Sequence, residues 1–129
     1  MRTLLLSILL WIPTAALAAE SKCAPFTDAS LVSSDGKFLG RFTNKYDSDS
    51  VFNEYGEYGS KYQSNSIWNK YGDYGSPYST TSAFNPYTSD GPMVVKNRKV
   101  IAVLTKNKHV TGSVDPMILA ILCFDFTPD

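Results

Sequence analysis

Histidine and cysteine are the scarce residues of this chain, and net charge is absent. There is one histidine, His109, and there are two cysteines, Cys23 and Cys123. A catalytic triad would have to combine His109 with Asp115 and some serine. No serine sits in a nucleophile elbow, so His109 reads as an exposed loop residue. Neither a zinc-ligand spacing nor a phosphate-binding loop occurs. Asp47-Ser48-Asp49 alternates acids but lacks the glycine and distal glutamate of a calcium loop. Glu54, Glu57 and Asp73 stand at no spacing that argues for paired glycosidase carboxylates. Nothing calls for a cofactor or a metal, and an enzyme is the least supported functional class. Twelve basic residues balance twelve acidic ones. Global charge therefore selects no polyanion, and a nucleic-acid partner is not expected.

Long apolar runs are also missing, apart from the N-terminus. Arg2 precedes an apolar stretch of Leu4, Leu5, Leu6, Ile8, Leu9, Leu10, Trp11 and Ile12. Pro13 ends it, and Ala16-Leu17-Ala18 has the small-x-small form of a cleavage site. Residues 1–18 therefore read as a secretory signal peptide, with cleavage after Ala18 or Ala19. The run is too short for a membrane span, so no transmembrane segment is expected after processing. Lys22 before Cys23 does not fit a lipoprotein site. Intact mass of the exported protein checks the cleavage, and a mass that still includes Trp11 would mean an anchored chain. Residues 19–129 then form one mature domain, periplasmic or secreted. Outside the cytoplasm an even cysteine count reads as a disulfide, and two cysteines allow one pairing, Cys23 with Cys123. A redox-active pair would need cysteines close in sequence or a polarising neighbour, and neither is present.

What the chain does have is tyrosine, eight of them, all inside one internal repeat. Residues 40–87 divide into three sixteen-residue units that start at Gly40, Gly56 and Gly72. An aromatic follows two positions on (Phe42, Tyr58, Tyr74), then an invariant tyrosine (Tyr46, Tyr62, Tyr78). A serine comes next (Ser50, Ser66, Ser82). An aliphatic-aromatic pair follows (Val51-Phe52, Ile67-Trp68, Ala83-Phe84), then an asparagine (Asn53, Asn69, Asn85). Each unit closes on Tyr55, Tyr71 or Tyr87. The glycines suggest positive φ and a tight turn or helix stop at each unit boundary. The serines are placed to cap a short helical turn, and the asparagines to bond neighbouring backbone. No unit is long enough for an independent helix, and none alternates with period two. The expectation is three stacked units of turn or short helix, each needing its neighbours to bury its aromatics. Two readings of those aromatics stand side by side. They supply the core of a chain short of aliphatics, or some of them form an exposed platform for sugar rings or protein surfaces. The candidate platform residues are Tyr55, Tyr58, Trp68, Tyr71 and Tyr74.

The run Asp35-Gly36-Lys37-Phe38-Leu39-Gly40, continued through Asn44-Lys45-Tyr46, Tyr58-Gly59-Ser60-Lys61-Tyr62 and Tyr74-Gly75-Ser76-Pro77-Tyr78, carries a resemblance. It resembles a class of short exported bacterial proteins with tandem tyrosine-glycine-serine repeats after a DG-x-x-LG lead-in. The likeness covers about half the chain and stops before Val95. It implies a bacterial, exported protein and brings no catalytic residues with it.

The flanks carry the β signals. Asp35-Gly36 between Leu31-Val32 and Phe38-Leu39 is a hairpin signature. Met93-Val94-Val95 and Val100 to Leu104 flank Lys96-Asn97-Arg98-Lys99 as a second hairpin. Asp115-Pro116 marks a break, and the apolar run Met117 to Phe124 reads as a buried strand. Residues 92–124 are therefore expected as a C-terminal β segment. The predicted fold is mainly β, a small sheet from the two chain ends with turn-rich repeats between them. Lys96, Arg98, Lys99, Lys106 and Lys108 occur with no acid among them. They suit either an anionic envelope polymer or plain solvation of a hairpin and loop, and solvation is the simpler account. The function that fits best is a small binding or structural module of the bacterial envelope, with an envelope glycan or protein as partner. A secreted inhibitor or host- or competitor-interaction factor is the alternative.

Overall fold

The computed structural model describes residues 22–128. The predicted signal peptide lies outside them. Both hairpins form where the turn residues put them. Strand β1 (Ser30–Val32) pairs antiparallel with β2 (Phe38–Arg41). Gly36 takes a φ of +94° between them, which a side chain would resist. The second hairpin joins β3 (Met93–Lys96) to β4 (Lys99–Leu104) through Asn97 and Arg98, with φ of +52° and +66°. Two central residues at positive φ define the turn whose twist matches the strands on either side. Strand β1 also pairs antiparallel with β3, Leu31 opposite Val94, which fuses the hairpins into one sheet. A short β5 (Ser113–Val114) runs parallel to β4, giving the order β2-β1-β3-β4-β5. Among the described residues the protein is thus mostly non-helical, a small five-stranded sheet followed by a helix.

That helix is a correction to the sequence reading. Met117 to Phe124 is not a strand: α1 spans Pro116–Phe124. An apolar run of this length does not separate buried strand from buried helix. The local chemistry does. The Asp115 carboxylate accepts from the backbone N–H of Met117 and of Ile118 as an N-cap, and Pro116 occupies the first turn, where its missing N–H costs nothing. Asp125, at φ +50°, stops the helix, and the Phe126 N–H returns to the Ala120 carbonyl. Helix α1 buries Leu119 and Ala120 and is tied to the chain entrance by the Cys23–Cys123 disulfide, with Cα atoms 5.4 Å apart. The bond is compatible with an exported protein. Among the described residues no helix is long and apolar enough to cross a membrane.

Between β2 and β3 the backbone is neither helix nor strand. From Asn44 it advances by hydrogen-bonded turns, each N–H reaching the carbonyl three residues back: Asp47 to Asn44, Ser50 to Asp47, Asn53 to Ser50, Gly56 to Asn53. One longer step follows, Ser60 to Gly56, and the same series resumes from Ser60 through Gly72 to Ser76 and Ser82. Four steps of three and one of four make up each sixteen-residue interval. Of the two forms expected, turn or short helix, this segment takes the first: successive turns close the backbone bonds without accumulating a helix. The boundary glycines also differ from expectation. Gly40 has a φ of +108°, but Gly56 and Gly72 are not at positive φ. At Gly56 a Cβ would lie 3.2 Å from the Asn53 side-chain amide, so space and not dihedral freedom favours glycine there. The tightest approaches are elsewhere in the unit. A Cβ on Gly59 would come within 2.1 Å of the Asn53 carbonyl oxygen, and one on Gly75 within 2.2 Å of that of Asn69.

The core lies where this segment meets the sheet and α1. Phe42, Val51, Phe52, Ile67 and Trp68 from the repeats pack with Leu31, Leu39, Val94 and Leu104 from the strands. Phe124 stacks on Phe52 with ring centroids 4.4 Å apart. Phe126 reaches both Phe52, at 5.5 Å, and Trp68, at 5.2 Å.

Candidate binding face

One local device places nearly every aromatic of the repeat segment. A Ser or Asn side chain accepts a hydrogen bond from the backbone N–H two residues on, an ST or Asx turn. Ser50, Ser66 and Ser82 do this for Phe52, Trp68 and Phe84. Asn53, Asn69 and Asn85 do it for Tyr55, Tyr71 and Tyr87. Asn44, Ser60 and Ser76 do it for Tyr46, Tyr62 and Tyr78. Asn53, Asn69 and Asn85 also donate from Nδ2 to the carbonyls of Asp47, Gln63 and Ser79, which pins each turn to the one before it.

The aromatics divide cleanly between inside and outside. Phe52 and Trp68 are buried and Phe84 is half-buried, in one line: Trp68 lies 6.5 Å from Phe52 and 5.8 Å from Phe84. Tyr46, Tyr55, Tyr62, Tyr71, Tyr78 and Tyr87 are all between 81% and 97% exposed. Tyr58 and Tyr74 turn inward on the sheet side. Tyr58 meets Phe38 edge-on at 5.3 Å, and the Lys37 ammonium sits 5.9 Å from the Tyr74 ring. Burial pushes the Tyr58 hydroxyl above the usual tyrosine range, helped by the charges of Glu57 and Asp49. Tyr74 is raised for the same reason, with Asp35 and Asp73 adding to it and a Ser33 hydrogen bond opposing.

The exposed tyrosines wall a series of hollows. Tyr46 and Tyr55 bound one of about 480 Å³, floored by Phe52 and Phe126. Tyr55 and Tyr62 bound the next, about 220 Å³, over Trp68, Phe126 and Pro128. Tyr62 and Tyr71 bound a third of about 480 Å³, again over Trp68. A fourth, about 340 Å³, lies between Lys70, Pro77, Phe84 and Met117. Three of the four fall in the lower part of the range for small-ligand sites, about 300–1,000 Å³, and the second lies below it.

The five candidate platform residues therefore part company. Tyr55 and Tyr71 stand on the exposed row. Trp68, only 5% exposed, forms its floor and donates from Nε1 to the Val51 carbonyl at 2.7 Å. Tyr58 and Tyr74 belong to the sheet side. Tyr46, Tyr62, Tyr78 and Tyr87 share the exposure of Tyr55 and Tyr71 but were not among the candidates. The signal for them was present. Positions that are tyrosine in all three units are exposed, whereas the position that accepts Phe42 in place of Tyr58 and Tyr74 is turned inward.

Other polar candidates are committed elsewhere. Asp47 and Asp49 face Arg41, at 3.4 and 3.6 Å. Lys106 pairs with Asp115 at 2.9 Å, and Lys96 Nζ donates to the Thr27 carbonyl. His109 lies in an exposed loop, its backbone N–H bonded to the Asn107 side chain. Among the described residues no group of three His, Cys, Asp or Glu side chains is arranged to hold a metal ion. No protein-family model matches the chain, and neither a curated protein nor a solved structure shows significant similarity to it.

Proposed function

We propose that this is a small exported binding module of a bacterial envelope, without catalysis of its own, that engages its partner through the row of exposed tyrosines. One observation carries the reading. Six tyrosines project almost fully into solvent, and four of them wall consecutive hollows. Isolated exposed aromatics are ordinary, but a regular series of them marks an interaction surface. Tyrosine suits the task because two torsions fix a large, flat, amphipathic face at small entropic cost. The backbone beneath is held by the Asx and ST turns, so the row is organised before any ligand arrives. The disulfide supports a working place outside the cytoplasm.

The test is a paired measurement on Tyr55→Ser/Tyr71→Ser. Both side chains are exposed, so thermal stability should stay within about 0.5 kcal/mol per site of the wild type. Capture of material from a bacterial envelope extract should fall about tenfold or more, as removal of two central anchors requires. Undiminished capture by a folded double variant would defeat the proposal.

A further inference from the structure

Resting on that tyrosine face, we infer that its ligand is a linear, uncharged glycan that lies along the row with sugar rings against the tyrosine faces. The first support is repetition. The face offers similar small hollows one after another, bounded by Tyr46, Tyr55, Tyr62 and Tyr71 in chain order. A series of like sites matches a ligand that itself repeats along its length. A folded protein presents a unique surface and gains nothing from the recurrence, whereas a polymer gains avidity from each further site it reaches.

The second support is the chemistry of the rings. Lys45 and Lys61 lie over the rings of Tyr46 and Tyr62 at 5.7 and 5.4 Å, while Tyr55, Tyr71 and Tyr87 are 90–97% exposed with no ring or cation partner among the described residues. An aromatic face carries the negative part of its quadrupole outward and attracts polarised C–H groups, which a pyranose ring presents on its flat side. Glu54 and Lys70 stand between these rings, within reach of hydroxyl groups. The third support is charge. The first hollow sets Lys45 against Glu54 and Asp125, the second sets Lys61 against Glu54, and the third carries Lys61 and Lys70, so the row holds three cations to two acids and no strong field of one sign recruits a polyanion.

The probe is the polysaccharide of a protease-digested envelope extract, partly hydrolysed, sorted by length and passed over immobilised mature protein. Long chains should be retained about tenfold or more better than short ones, because each added contact is intramolecular. Retention should persist at high salt, since no charge pairing drives it. Periodate cleavage of the sugar diols should abolish it, and Tyr55→Ser/Tyr71→Ser/Tyr87→Ser should lose it while keeping the fold. Retention only from undigested extract would mean a protein partner; that outcome overturns the glycan inference and leaves the tyrosine face standing. Absent, length-independent or salt-sensitive retention of polysaccharide also overturns it. Full retention by the triple variant would overturn the inference and the face together.

Discussion

Trp68→Ala lowers stability by about 3–5 kcal/mol, the cost of emptying a large buried aromatic site. Trp68 is 5% exposed and its ring meets Phe52, Phe84 and Phe126. It couples three parts of the molecule that are distant in sequence: the first unit, the third unit and the segment after α1. Its Nε1 bond to the Val51 carbonyl adds a second loss, because Val51 is fully buried and its oxygen would be left without that donor. Trp68→Phe isolates this second effect. It keeps most of the packing and removes the donor, so about 1–3 kcal/mol should go. Chemical denaturation of the wild type and both variants checks the order. A Trp68→Ala protein with the wild-type midpoint would show that the indole is not part of the core. The sequence left open another reading, in which Trp68 belonged to an exposed platform. With the indole on the floor, any loss of binding in Trp68→Ala follows from loss of the floor, and the direct test of binding moves to Tyr55 and Tyr71.

Reduction of Cys23–Cys123 should be as damaging. The bond spans 100 residues of sequence. Closing a loop of that size in the unfolded chain contributes about 4–5 kcal/mol on the chain-entropy account. A domain of this length holds about 5–15 kcal/mol in total, so the bond is a large share of it. The packing that the bond supports is also specific. Cys123 sits one residue before Phe124, which stacks on Phe52 and touches Phe42 at 5.7 Å. Freeing the end of α1 from the chain entrance loosens that stack. Scanning calorimetry with and without reductant should show the melting temperature falling by roughly 15 °C or more. A Cys23→Ser/Cys123→Ser protein should reproduce the fall without reductant. A change of only a degree or two in both would mean that packing alone holds α1 in place.

How much of this was legible in the residues depends on how local each signal is. Asp35-Gly36 names its own turn, and the β-branched run around Val100 names its strand, so both hairpins were readable. The disulfide followed from counting. Helix α1 was less legible, although its markers are in the chain: Asp115 before Pro116 serves equally as a break and as an N-cap followed by a first-turn proline. The apolar run that followed has no polar face to show a period, since Ile118, Ile121 and Leu122 point outward. The inward or outward direction of each tyrosine was less legible too. It depends on a turn series of three, three, three, three and four residues, which produces neither the 3.6 period of a helix nor the period of two of a strand. Neither of those two periods runs through Gly40 to Tyr87. Among the tyrosines the residue two positions before carries the missing information, Ser or Asn before the exposed ones and Gly56 or Gly72 before the inward Tyr58 and Tyr74, although a serine also precedes the inward Phe52, Trp68 and Phe84.

The position of the two cysteines also sets an order of events. Cys23 precedes all five strands and Cys123 lies in the helix that follows the last of them, so synthesis from the N-terminus presents one cysteine before the sheet and the other after it. With no other cysteine in the sequence, Cys23 has nothing to pair with inside its own chain while the repeats emerge. No wrong intramolecular bond is available, so no isomerase is needed to correct one. The lock closes once, after β5 and α1 have arrived, and by then the turns that aim the tyrosines have already emerged.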